Sequence, residues 1–111
     1  MTAQVTQSVS NGALTTPSAL TPASVDTIAR AQFGPTGVLL RIITTGTATT
    51  LTVSDPGTTA MGNAGTLPSQ TCPSTGSRMA FIPLSAINSS DVATLNFSGA
   101  LTGVTYEAYR I

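Results

Sequence analysis

The side chains able to do chemistry are few and far apart. The acids are Asp26, Asp55, Asp91 and Glu107, the cations are Arg30, Arg41, Arg78 and Arg110, and Cys72 is the only thiol; histidine and lysine are absent. Without histidine there is no Ser-His or Cys-His pair to activate a nucleophile. Without lysine there is no Schiff base and no Ser-Lys variant. Two carboxyls brought together by the fold could act as an acid–base pair, as in glycosidases. Asp26, Asp55 and Asp91 each stand beside a turn signal, however, where aspartate serves as a cap or turn former, and that role is expected for them. The segments "DPGTT" (55–59) and "NSSD" (88–91) lack the acid density of a calcium loop. "GNAG" (62–65) reads as turn residues, and no Walker-type loop or dinucleotide fingerprint is present. A single cysteine makes neither an intrachain disulfide nor a protein zinc site. Only Arg78 lies near enough in sequence to activate Cys72, which is expected to be a small, half-buried loop residue. These residues predict a protein that is not an enzyme, with no cofactor, no metal and no small-molecule substrate.

Charge narrows the partners. Only 7% of the 111 residues are charged, with a formal net charge of zero, against about 25% in an ordinary soluble domain. Four isolated arginines do not make the basic cluster that a phosphate backbone or an anionic membrane surface requires. No apolar run approaches the roughly 20 residues that cross a bilayer. The first residues, "MTAQVTQSVSNG", have neither the basic nor the apolar region of a signal peptide. A neutral chain rich in Thr and Ser has little electrostatic protection against association, which suits a protein docked in an assembly.

The elements that would position these residues read as strands. The length suits one domain. Residues 1–23, "MTAQVTQSVSNGALTTPSALTPA", carry no charge and no aromatic residue, and neither the helical nor the strand period is sustained. Pro17 and Pro22 exclude a helix. The segment is expected to be an extended N-terminal arm, flexible alone and ordered against a partner, or equally a disordered leader with no role, leaving residues 24–111 as a single β domain. "SVDTIARAQ" (24–32) fits a short strand or one helical turn, and "GPTG" (34–37) is a turn. "VLLRIITT" (38–45) is apolar on both faces, as in a strand covered on both sides. "TATTLTV" (47–53) sets Leu51 and Val53 against Thr50 and Thr52, a half-buried strand, and "SDPG" turns the chain. Residues 57–77 read as one long loop, a length often used for contacts. "RMAFIPLSAI" (78–87) is a strand whose Pro83 marks an edge or a bulge. "VATLNFS" (92–98) puts Ala93, Leu95 and Phe97 on one face; "VTYEAYRI" (104–111) puts Val104, Tyr106 and Ala108 on one face and Thr105, Glu107 and Tyr109 on the other. A short "GALTG" link predicts that these two form a β-hairpin. The pattern is all-β, a small β-sandwich or partly closed barrel of about six to eight short antiparallel strands with an extended N-terminal arm. Phe81 and Phe97 are expected in the core. With no Trp, and with Tyr106 and Tyr109 on opposite faces, the aromatic platform of a carbohydrate module is not expected. The sequons at Asn88 and Asn96 carry no argument.

The order of segments from about Val25 to Ile111 resembles a family of small virion proteins of tailed bacteriophages. The features that carry the resemblance are the "VLLRI" strand, the Thr-rich "TATTLTV" strand ending in "SDPG", a Gly-rich loop, the "FIPL" segment and the closing "ATLNFSGALTGVTYEAYRI". Members resemble capsid decoration, or head cement, proteins. The resemblance implies a structural protein on the outer surface of the head that binds the major capsid protein, associates with itself as a homotrimer, and strengthens the shell. The first 20 or so residues depart from the family pattern, so no contact residue is carried over from it. Length and lack of charge instead point to the arm and the long loop, with Val5, Val9, Leu14, Leu20, Met61 and Leu67 as candidate interface residues and Tyr109 as an anchor on the last strand. The competing expectations are another virion part, at the neck, the head–tail junction or the tail, and a carbohydrate-binding or host-adhesion module.

Overall fold

Threonine and β-branched apolar residues at alternate positions, punctuated by Gly and Pro, build strands wherever one face can be buried. The computed structural model describes residues 2–57, 60–61 and 70–111. Its strands are β1 (Thr2–Gln4), β2 (Val25–Ala29), β3 (Gly37–Thr45), β4 (Thr49–Val53), β5 (Gln70–Cys72), β6 (Thr75–Pro83), β7 (Val92–Ser98) and β8 (Val104–Arg110). They form a five-stranded sheet in the order β1-β2-β7-β4-β5 and a three-stranded sheet in the order β6-β3-β8. The expected small all-β sandwich is what forms, and the sheets do not close into a barrel. One strand pairing departs from the antiparallel expectation: β1 runs parallel to β2.

Both readings of "SVDTIARAQ" hold in part. It is a strand through Ala29 and then a 3-10 turn at Arg30–Gln32. In β3 the even positions Val38, Leu40, Ile42 and Thr44 are buried while Leu39, Arg41 and Ile43 are half-buried. The strand expected to be covered on both sides is therefore fully covered on one, since the second sheet packs against only one face of the first. The segment read as a loop from 57 to 77 contains β5 and the start of β6.

The expected hairpin of β7 and β8 does not form. β7 pairs with β2 and β4, and β8 pairs with β3, in the other sheet. Alternation shows which residues face the core but not which strand lies alongside. The two apolar rows meet face to face: Ala93, Leu95 and Phe97 look across the core at Val104, Tyr106 and Ala108. The rings of Phe97 and Tyr106 meet at 5.3 Å with a 37° tilt, within the range that adds stabilisation beyond area alone. Gly99 and Gly103 lead the chain between the sheets at φ 92° and 74°. A Cβ on Gly103 would stand 2.6 Å from Thr45 Oγ1. Gly103→Ala should therefore lower stability by about 1–2 kcal/mol, readable as a shifted urea midpoint.

The acids divide. Asp55 caps its turn, accepting the Gly57 N–H at 2.8 Å. Asp91 sits in its turn at φ 62° and pairs with Arg30 at 3.1 Å. Asp26 corrects the turn expectation: it lies inside β2, is 0% exposed, and joins both sheets and the arm. Its carboxyl accepts the Tyr106 hydroxyl at 2.8 Å, the Gln4 amide at 3.2 Å and the Ala23 N–H at 3.3 Å. Gln4 also donates to the Thr21 carbonyl at 3.0 Å. Every buried side-chain N or O among the described residues has a partner, as a buried polar cluster requires.

Burial, then the hydrogen bond to Asp26, pushes the Tyr106 phenol far above its ordinary 10.0. Below pH 10 the phenol is protonated in both folded and unfolded chains, so its contribution is fully present. Above that, the unfolded chain releases a proton that the folded chain keeps, and stability falls by up to about 1.4 kcal/mol per pH unit. Chemical denaturation between pH 8 and 11 should show a plateau followed by this decline.

Candidate interaction face

The second, outer face of the three-stranded sheet is where unspent apolar surface collects. Register fixes its rows: Phe81, Leu39 and Tyr109 form one, and Met79, Arg41 and Glu107 the next. Phe81 is 48% exposed and Met79 62%. Phe81, expected in the core, stands outside because Ala80 and Ile82 take the inward positions of β6. The Glu107 carboxyl is buried under its neighbours. It accepts the Tyr109 hydroxyl at 2.7 Å and lies 3.4 Å from Arg41 Nη1. The bond to Glu107 holds the Tyr109 phenol above its ordinary value. This trio locks Tyr109 in place across the face; its charges are paired with each other.

Strand β6 borders a cleft of about 470 Å³ whose lining includes Ile42, Leu51, Val53, Cys72 and Ala80. Arg78 is its one charged side chain among the described residues. Burial raises the Cys72 thiol above its ordinary 9.0 against the opposing pull of Arg78, so the thiolate is scarce and the thiol a weak nucleophile. No group of three or more His, Cys, Asp or Glu able to hold a metal ion occurs among the described residues. Gln70, Thr71 and Arg78 give this mostly apolar lining its polar part among the described residues.

The arm is fastened to its own domain at both ends. β1 pairs with β2, and Gln7 and Leu20 pair with the outer edge of β8 through backbone bonds of 2.7–3.1 Å to Tyr106, Ala108 and Arg110. Thr6 bonds to Gln32. Between these anchors the chain loops out, closed at its neck by the Gln7 side chain bonding to Thr16 and Ser18. Of the expected interface residues, Val5, Val9 and Met61 are exposed and Leu14 is fully so. Leu20 is half-buried against the core. Tyr109 is half-buried on the outer face, and Leu67 lies outside the described residues. Met79 carries no expectation from the sequence, and Phe81 only that of a core residue. Pro83 marks their strand as an edge or a bulge, and on the edge reading, counting outward from Ile82 turns both side chains to solvent.

Comparison with protein-family models, with curated proteins and with solved structures finds no match.

Proposed function

We propose that this protein is a structural virion component that binds the outer surface of an assembled bacteriophage head, bridges neighbouring major capsid protein subunits and stabilises the shell. The observation that carries the reading is the kind of surface the chain presents. Exposed Val5, Val9, Leu14, Met61, Met79 and Phe81 stand on a nearly uncharged background, while the acids are spent on turns, pairs and the core. Such a surface is suited to docking. The segment order that resembles head cement proteins supplies the partner, and it also implies a homotrimer.

The mechanism is additive. Each copy contributes a modest contact, and copies linked to one another gain effective concentration for the later contacts. The looped part of the arm supplies Val9 and Leu14 to the shell, and the loop after β4 adds Met61.

The test adds purified protein to heads that lack it and measures occupancy. Saturable binding is expected, and Val9→Ser with Leu14→Ser should lower it at unchanged stability, because both side chains are exposed. No affinity for heads, together with binding to host glycans, would replace this reading with the adhesion one.

A further inference from the structure

A sheet edge left open invites another strand, and folded proteins close most of theirs. Here β1 and β5, the edges of the larger sheet, are only three residues long, and the edge of β8 is covered by the arm at Gln7 and Leu20. The remaining edge is β6, with nine residues. Its hydrogen-bonding parity follows from the arm. Tyr106, Ala108 and Arg110 bond outward to the arm, so Thr105, Glu107 and Tyr109 bond to β3. Val38, Leu40, Ile42 and Thr44 then bond to β6, and the backbone groups of Thr75, Ser77, Met79, Phe81 and Pro83 point away from the sheet. Among the described residues, the one hydrogen bond reaching this edge is from Arg78 Nη1 to the Ser77 carbonyl, at 2.9 Å.

We propose that two copies of this chain associate through β6, antiparallel about a two-fold axis at Met79, so that two three-stranded sheets become one of six strands. The inference rests on this strand alone, stands whether or not the protein binds a phage head, and sets a two-fold pair against the homotrimer that the resemblance implies. The occupant is a second copy because the edge is self-complementary. Met79 is the midpoint of Thr75–Pro83 and one of the outward-bonding residues, so a two-fold there pairs all nine positions. Met79 meets the partner's Met79, Ser77 the partner's Phe81, and Thr75 the partner's Pro83. Pro83, which has no N–H to donate, falls at the two ends of the ladder, where least is lost. On the outer face the two methionines touch and each Phe81 lies over a small serine. On the inner face Arg78 stands opposite the partner's Ala80, and no ionised side chain faces another directly. The two Arg78 residues lie diagonally, about 7–8 Å apart. Their repulsion is screened by salt, so association should tighten as ionic strength rises.

The full chain tests this by cross-linking and sedimentation. Directly paired outward-bonding residues have Cα atoms about 5.5 Å apart, within disulfide reach. Met79→Cys should therefore form a dimer on mild oxidation. Ser77→Cys alone should not, since the two copies of that position lie about 13 Å apart along the strand. A mixture of Ser77→Cys and Phe81→Cys should cross-link as a heterodimer. Buried Cys72 is common to all, and the unsubstituted chain serves as the control. Met79→Lys should weaken the reversible dimer at least tenfold. Cross-linking of Met79→Cys no faster than of Ser77→Cys, or a chain that sediments as a monomer at all concentrations, overturns the proposal. So does a stable trimer without the Met79 cross-link.

Discussion

Asp26→Ala is expected to lower stability by about 3–5 kcal/mol, dropping the thermal midpoint by roughly 15 °C in a domain of this size. The reason is the number of groups that one carboxyl satisfies. Asp26 is fully buried and accepts from Tyr106 of the facing sheet, from Gln4 of the arm and from the Ala23 backbone. Removing it leaves a buried phenol and a buried amide without that acceptor, each costing about 1–3 kcal/mol, and opens a small cavity between the sheets. Asp26→Asn keeps an acceptor for Tyr106 and should cost less. Tyr106→Phe removes a single donor and should fall between the wild type and Asp26→Ala. Urea denaturation of the three variants checks the order. A loss below about 1 kcal/mol for Asp26→Ala would mean that the cluster is not what holds the sheets and arm in register.

Deleting residues 2–7 should have the second large effect, about 3 kcal/mol or more, summed from several hydrogen bonds of about 1 kcal/mol each. It removes β1, the Gln4 bond to Asp26, the Thr6 bonds to Gln32 and the Gln7 cover of β8. Two consequences separate this from simple shortening. The urea midpoint falls, and the uncovered edge of β8 becomes a second pairing site, so the shortened chain should form higher oligomers at concentrations where the full chain does not. Unchanged stability and unchanged mass would show that the arm is a passive leader. Because the deletion damages the fold, the exposed positions Val9 and Leu14 are the better probes of the arm's outward contacts.

The strand content was legible because burial of one face imposes a period of two. Ala93, Leu95 and Phe97, and Val104, Tyr106 and Ala108, announce their inward faces without any structure. Strand partnership was not legible. The "GALTG" link suits a hairpin as well as it suits the crossing between sheets that forms, and the choice depends on long-range competition for β3. Asp26 departs from its turn expectation because only one of its donors is local, the Ala23 N–H three residues back, while the others lie 80 residues away at Tyr106 and 22 away at Gln4. Phe81 was misplaced because an aromatic ring among apolar neighbours reads as core, whereas at an edge strand half of those neighbours face solvent. The outer face emerges only once β6, β3 and β8 are aligned, since its rows draw on three distant segments.

Docking on a phage head would show in the molar ratio of this protein to the major capsid protein in purified particles. A copy number of the same order as the capsid protein is expected, lost together with shell stability when the protein is absent. A few copies per particle, as in a single neck or tail ring, or none at all, would contradict it.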